Sequence, residues 1–206
     1  MTRVKFCGLT RPADIAAANE LRPEYIGFVF APKSRRYLPP EQAAELKAQL
    51  VPGVQAVGVF VNEAPEQVAH LLNTGVIDIA QLHGQEDAAY IARLRTLTDK
   101  PLIQAFRVDD AASLTAAAQS PADWVLLDSG AGGTGTAFDW TLLQNFPRPY
   151  FLAGGLDSTT VRRAVETFAP YAVDVSSGIE TEGRKDKTKM AAFAAAVREQ
   201  ERNETL

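Results

Sequence analysis

Cysteine is almost absent from this 206-residue chain, where Cys7 stands alone. One thiol excludes an intramolecular disulfide and fits a reducing compartment, so the cytoplasm is the expected location. Histidine is nearly as scarce. His70 and His83 lack Cys or carboxylate partners at ligand spacing, so no metal site is expected. Basic charge is not in excess. The 21 Lys and Arg against 25 Asp and Glu leave a net charge of −4, which speaks against nucleic acid as a partner. No apolar run approaches the length of a membrane span, and none opens the chain, so neither a membrane partner nor a signal peptide is expected. The apolar share of 46% and charged share of 22% are ordinary for a globular protein.

What the chain does have is alternation. Short runs of β-branched and aromatic residues predict strands at Arg3 to Cys7, Tyr25 to Phe30, Gln55 to Val61, Ile77 to Leu82, Leu102 to Phe106, Trp124 to Leu127, Tyr150 to Ala153 and Ala172 to Val175. Helical segments fall between them. They are Pro12 to Leu21, with Thr10 as its N-cap, then Pro40 to about Leu50, Pro65 to Leu72, Glu86 to Leu97 and Ala111 to Ala118. A short helix near Trp140 to Gln144, another from Asp157 to Thr167 and a last one from Lys187 to Glu199 complete the set. No linker or composition break interrupts the series, so residues 1–206 read as one domain. Strands alternating with helices imply parallel pairing through crossovers. Such units fit a single-domain (β/α)8 TIM barrel of the α/β class, with an open doubly wound sheet as the alternative. The barrel is preferred because polar, Gly-rich segments follow strand after strand, and a barrel gathers those loops on one face.

Chemistry-bearing residues cluster at those strand ends. In the first strand Lys5 and Cys7 share a face, opposite Val4 and Phe6. A thiol at a strand mouth is a candidate nucleophile or base, though free cysteine is often a packing residue. Asp128 ends the sixth strand, placed for general-acid work or for capping a loop. Asp174 lies inside Val173-Asp174-Val175, where alternation puts it on the opposite face from its Val neighbours. Closure of the eighth strand on the first would bring it within reach of Lys5 or Cys7, as a site residue or as a purely structural ion pair with Lys5. Gly154-Gly155 follow the seventh strand and Ser176-Ser177-Gly178 the eighth, the two loops where barrels commonly bind phosphate through backbone N–H groups. Arg36, beside Lys33 and Arg35, offers a forked donor for a carboxylate, or belongs to a solvated basic loop. Gln81 and His83 share a face at the end of the fourth strand, and His83 reads as a base, a ligand or a hydrogen-bonded wall residue. The Gly-rich stretch 130–136 lacks the ending of a nucleotide-binding loop and reads as a lid, a phosphate contact or a surface loop.

In order along the chain, Lys5-Phe6-Cys7-Gly8-Leu9-Thr10, Gly27-Phe28-Val29-Phe30, Pro32-Lys33-Ser34-Arg35-Arg36-Tyr37, Val57-Gly58-Val59-Phe60-Val61-Asn62, Gln81-Leu82-His83-Gly84, Leu126-Leu127-Asp128, Phe138-Asp139-Trp140 and Asp174-Val175-Ser176-Ser177-Gly178 resemble the phosphoribosylanthranilate isomerases of tryptophan biosynthesis. The resemblance implies a (β/α)8-barrel enzyme. Its reaction would be the Amadori rearrangement of N-(5-phosphoribosyl)anthranilate to 1-(2-carboxyphenylamino)-1-deoxyribulose 5-phosphate. It implies Cys7 as the base, Asp128 as the acid, and Arg36 on the anthranilate carboxylate. Asp174 would orient the sugar or Cys7, with Gln81 and His83 also at the substrate. Phosphate would lie at Gly154, Gly155, Ser176 and Ser177. No cofactor is implied, the partner is the small-molecule substrate, and the expected state is a monomer, with a dimer the alternative. Two positions depart from the family pattern. Thr134-Gly135-Thr136-Ala137 precedes Phe138 where Lys-Thr is frequent, and Ala153 stands where many relatives have Ser. The rival readings are another sugar-phosphate isomerase, epimerase or lyase on the same barrel, and a non-catalytic phosphate binder. The lysine beside Cys7 favours the thiolate and Asp174 opposes it, so a thiol pKa between roughly 7 and 8.5 is expected.

Overall fold

The computed structural model describes residues 1–128, 143 and 146–203, the last four as backbone. Its strands are β1 (Arg3–Cys7), β2 (Tyr25–Val29), β3 (Gln55–Phe60), β4 (Ile79–Leu82), β5 (Leu102–Arg107), β6 (Trp124–Asp128), β7 (Tyr150–Ala153) and β8 (Ala172–Val175). They pair in sequence order, all parallel, and β8 closes on β1 to make a barrel. The (β/α)8 expectation therefore holds and the open sheet is excluded. Closure leaves no sheet edge, and helices outside with side chains inside bury most strands on both faces, so they read as apolar runs. β5 is the exception, its second half only half-buried and its Arg107 exposed.

Period-two alternation sorts those runs into two layers. Val4, Phe6, Ile26, Phe28, Leu127 and Leu152 face outward into the main core beneath the helices. Tyr25, Val57, Ile79, Ile103, Leu126, Phe151 and Ala172 fill the barrel interior. Above that plug lies a thinner cluster of Cys7, Val29 and Val59. An apolar floor with a sparse upper layer leaves the C-terminal mouth hollow, and the site forms there.

Among the described residues the α-helices are α1 (Pro12–Leu21), α2 (Pro40–Lys47), α3 (Pro65–Asn73), α4 (Ala88–Arg95), α5 (Ala111–Ala118), α6 (Val161–Phe168) and α7 (Lys187–Asn203). Pro at the first position starts α1, α2 and α3, where its missing N–H and fixed φ are no handicap. The N-cap of α1 is Arg11, not Thr10. Asp14 causes the shift: its Oδ2 accepts from the backbone N–H groups of both Thr10 and Arg11, so the cap comes from inside the helix.

Other boundaries move for similar local reasons. β4 starts at Ile79 rather than Ile77, because the amides of Val76 and Ile77 still bond back to Leu71 at the end of α3. Before α4, Asp87 caps Tyr90 while Glu86 accepts from Asn62 and Gly84, so both precede the helix. Asp157 was expected inside α6. Its carboxylate instead accepts from the N–H groups of Thr159 and Thr160, building a turn that delays the helix to Val161. The expected helix near Trp140–Gln144 and the 130–136 stretch, with Thr136, lie outside the described residues.

After β8 the chain forms a 3-10 turn, Ser177–Ile179, and then a small hairpin of β9 (Glu180–Thr181) and β10 (Arg184–Lys185). Glu182 and Gly183 make its tip, both at positive φ (52° and 77°), as a two-residue hairpin loop requires. Sequence analysis misses this hairpin. Two-residue strands are too short to show periodicity, and Glu at the first tip position is not a usual turn signal.

Candidate active site

The C-terminal mouth encloses a cavity of about 530 Å³. Cys7 enters from β1, Arg36 from the turn after β2, Gln81 from β4 and His83 directly after it, and Asp128 from β6. Gly154 and Gly155 follow β7, and Asp174, Ser176 and Ser177 come from β8 and its turn. These ten residues line this one cavity. No order in the sequence requires that; barrel closure brings the first and eighth strands together.

β1 and β8 pair with Lys5 opposite Asp174, and the Lys5 Nζ lies 2.9 Å from Asp174 Oδ1. Lys5 is fully buried. Burial, the largest single influence, works against its charge, but Asp174 and Cys7 together outweigh it and raise the ammonium's pKa above the ordinary value. Cys7 stands on the same face, one pleat nearer the mouth. Gly27, its partner on β2, makes its room: a Cβ there would come within 2.8 Å of Sγ.

The thiol's acidity differs from the expectation. Burial pushes the Cys7 pKa above its ordinary value; Lys5 pulls it down, Asp174 pushes it up again, and Lys185 lowers it. The expectation of 7 to 8.5 weighed the two charged neighbours and left out desolvation, which is the largest influence.

Opposite this trio, Gln81 Nε2 lies 2.8 Å from His83 Nδ1. With the amide donating, the imidazole carries its proton on Nε2, 3.8 Å from Asp128 Oδ2. Gln81 Oε1 is buried with no partner among the described residues, on the cavity wall. A buried carbonyl oxygen left open in this way is suited to a hydroxyl of a bound molecule. Arg107 also lines the cavity, at the end of β5 and in register with Asp128. An Arg closing an apolar strand was the available signal for it.

The turns after β7 and β8, expected from the sequence to receive phosphate, lie against each other. Gly154 and Gly155 have φ of 98° and 62°, conformations that favour glycine. Gly178 packs on the Leu156 carbonyl so closely that no Cβ fits. Among the described residues the backbone N–H groups of Gly155 and Ser177 make no hydrogen bond. Ser176 Oγ donates to the Cys7 carbonyl at 3.1 Å, tying the second turn to β1.

Lys33 and Arg35 in the loop after β2 are exposed, but the Arg36 side chain is largely withdrawn from solvent. Its Nε and Nη2 donate to Glu180 Oε1 and Oε2 at 2.6 and 2.9 Å. Arg35 Nη2 adds a bond to Glu180 at 2.7 Å, and Lys185 Nζ another at 2.7 Å. Burial pushes the Glu180 pKa up, but the bonds from Arg36 and Lys185 prevail and bring it down to about 2. Sequence analysis misses Glu180 and Lys185, and both are buried. They sit in a polar stretch that looks solvated, and only their burial distinguishes them.

A closed eight-stranded parallel barrel with acid-base side chains gathered at its C-terminal mouth defines a (β/α)8-barrel enzyme. The family model for N-(5'-phosphoribosyl)anthranilate (PRA) isomerase matches residues 4–196. The N-(5'-phosphoribosyl)anthranilate isomerase of Dechloromonas aromatica is 46% identical over 204 residues, covering 96% of both chains. The crystal structure of phosphoribosyl anthranilate isomerase from Thermotoga maritima superposes with a TM-score of 0.88 at 35% identity, covering 97% of this chain and all of that one. A second structure superposes at a TM-score of 0.86, with 34% identity over 97% of this chain and 100% of that one. It is of phosphoribosyl anthranilate isomerase in complex with reduced 1-(o-carboxyphenylamino)-1-deoxyribulose 5-phosphate. This chain belongs to the N-(5'-phosphoribosyl)anthranilate isomerase family.

Proposed function

We propose that the chain, working as one domain over residues 1–206, isomerises N-(5-phosphoribosyl)anthranilate to 1-(2-carboxyphenylamino)-1-deoxyribulose 5-phosphate in tryptophan biosynthesis. The observation that carries the reading is that Cys7 on β1 and Asp128 on β6 open into the same cavity from different sides of its rim. The rearrangement needs an acid and a base at two separate atoms of one sugar. Asp128 gives its proton to the ring oxygen as the bond from that oxygen to C1 breaks, and the anilino nitrogen's lone pair forms the C1 iminium. Cys7, as thiolate, takes the proton from C2, and the electrons of that C–H bond neutralise the iminium to an enamine-enol. Tautomerisation gives the ketone. One proton leaves Asp128 and one arrives at Cys7; C2 is oxidised from alcohol to ketone as C1 is reduced from the aldehyde to the amine level, so no external oxidant or reductant is needed.

The other wall residues take positions around this axis. Gly154, Gly155, Ser176 and Ser177 receive the phosphate on their backbone and hydroxyl donors. Arg36 meets the anthranilate carboxylate. Gln81 Oε1, unpartnered and facing the cavity, accepts from a sugar hydroxyl, with His83 beside it between Gln81 and Asp128. Asp174 holds Lys5 behind the thiol. The lone thiol suits a reducing compartment, which supports a cytoplasmic setting. The test is an assay of the loss of the fluorescent anthranilate substrate. Asp128→Asn keeps the shape without a transferable proton and should lower kcat by about 10²–10⁴. Cys7→Ser should be nearly inactive. If either variant folds and turns over at the wild-type rate, that residue has no part in the chemistry.

A further inference from the structure

Arg36 reaches the cavity wall from the turn after β2, yet two other loops hold its side chain. Its stem crosses Gly8, directly after Cys7. Gly8 has φ of +80°, and a Cβ there would overlap Arg36 Cδ, so the missing side chain is the slot in which the stem lies. Its head is held by Glu180 on the hairpin after β8, 144 residues away in sequence. The Glu180 fork occupies the Nε–H and one Nη2–H of the guanidinium. A guanidinium has a second fork, formed by Nη1 and the other Nη2–H in the same plane. Among the described residues nothing bonds Nη1.

Glu180 is itself fixed. Lys185 Nζ bonds both Glu180 Oε1 and the Ser176 carbonyl, at 2.7 and 2.9 Å, and Lys189 Nζ bonds the Glu180 carbonyl at 2.7 Å. The cluster of Arg35, Arg36 and Lys185 around one carboxylate keeps a net positive charge, so an anion is still attracted after Glu180 has been satisfied.

We propose that Glu180 is a positioning residue for substrate recognition: it locks the plane of Arg36 so that the free guanidinium edge meets the substrate's aromatic carboxylate. Lys185 keeps the buried Glu180 carboxylate compensated and ties the clamp to the turn that carries Ser176. This rests on the reading of Arg36 given above. Without Glu180 the guanidinium keeps its charge but not its orientation, and a forked contact depends on orientation.

The test compares two inhibitors, the reduced product analogue and the same molecule without its ring carboxylate. Their ratio of inhibition constants measures what the carboxylate contributes. Wild-type enzyme should favour the carboxylated form, and Arg36→Met should abolish the preference. Glu180→Gln should reduce the preference by about tenfold, the scale of a charge-assisted contact, and raise KM more than it changes kcat. Inhibition by inorganic phosphate should stay within about twofold, and Glu180→Asp should recover part of the preference. The proposal is overturned if Glu180→Gln keeps the full preference, or if it weakens both inhibitors and phosphate alike, as a merely structural residue would. Should Glu180→Gln fail to fold, the paired variant Glu180→Gln/Lys185→Met removes both buried charges and is read by the same criteria. If Arg36→Met keeps the preference, the carboxylate site lies elsewhere and the role of Glu180 falls with it. If Arg36→Met loses it and the Glu180 variants do not, only the role of Glu180 is wrong.

Discussion

Lys5 and Asp174 face each other across the strand pair that closes the barrel, Nζ to Oδ1 at 2.9 Å, with Lys5 wholly out of solvent. This pair sets the electrostatics of the thiol above it. The lysine's nearest counter-ion is a carboxylate rather than the thiol, so its charge helps the Cys7 thiolate only in part. Burial, Lys5 and Asp174 act on Cys7 in descending order, and the balance leaves a thiol harder to ionise than free cysteine.

A raised thiol pKa has a direct kinetic consequence. If Cys7 is the base, kcat/KM should keep climbing with pH beyond about 8.5, where a free thiol would already be half ionised. Inactivation by iodoacetamide should follow the same curve, and phosphate or product analogue in the cavity should slow it. The linkage sign is fixed as well. The folded state holds the thiol proton more tightly than the unfolded chain, so stability is full below the ordinary thiol range and falls as pH rises through the folded pKa. A plateau in kcat/KM below pH 8, tracking alkylation, would contradict this account.

Asp174→Asn removes the negative charge that opposes the thiolate. Iodoacetamide reactivity of Cys7 should move to lower pH than in wild type. Lys5→Met should move it to higher pH and leave Asp174 as an uncompensated carboxylate. Breaking a buried pair in this way costs about 3–5 kcal/mol, and the lower end applies because Asp174 borders the cavity. Denaturant unfolding and alkylation rates at several pH values check both variants; equal reactivity profiles would separate the pair from the thiol.

Gly178 permits the turns after β7 and β8 to touch, and no Cβ fits against the Leu156 carbonyl. Gly178→Ala must therefore push those turns apart. Inorganic phosphate should compete with substrate in wild type, and in Gly178→Ala both KM and the phosphate inhibition constant should rise together by about tenfold or more, the loss of one charge-assisted contact. Unchanged phosphate inhibition in the folded variant would place the anion elsewhere.

Glu180 supplies an acid-limb prediction. Its folded pKa is about 2 against an ordinary 4.5, so its contribution to stability is present above 4.5 and is lost as pH falls through about 2. Glu180→Gln should flatten the dependence of unfolding free energy on pH in that window while lowering stability near neutrality. Acid unfolding curves of the two proteins that stay parallel between pH 4.5 and 2 would show that the carboxylate is not held as the geometry indicates.

The fold was largely legible in the chain because both signals that carry it are local. Apolar runs such as Val125-Leu126-Leu127 and Tyr150-Phe151-Leu152 mark strands buried on both faces, and Pro at the first turn marks α1, α2 and α3. The exceptions are places where a polar side chain diverts the backbone. Asp14 moves the cap of α1, Asp157 delays α6, and the β9–β10 hairpin is too brief to leave a pattern.

Residue types at strand ends were enough to single out Cys7, Asp128 and the glycine and serine turns, because a barrel sends all such ends to one face, and a charge inside an apolar strand singled out Asp174. Tertiary structure alone decided how those residues act on one another. Lys5 and Asp174 are 169 residues apart and meet only because the eighth strand closes on the first. Arg36 reads in the sequence as either a forked carboxylate donor or part of a basic loop, and its contact with Glu180, on a hairpin at the other end of the chain, which takes one edge of its guanidinium, is nowhere in the sequence. The direction of the Cys7 pKa followed from the depth at which the folded barrel buries the thiol. Desolvation is a property of everything packed around a group, and it belongs to the closed barrel rather than to any stretch of the chain.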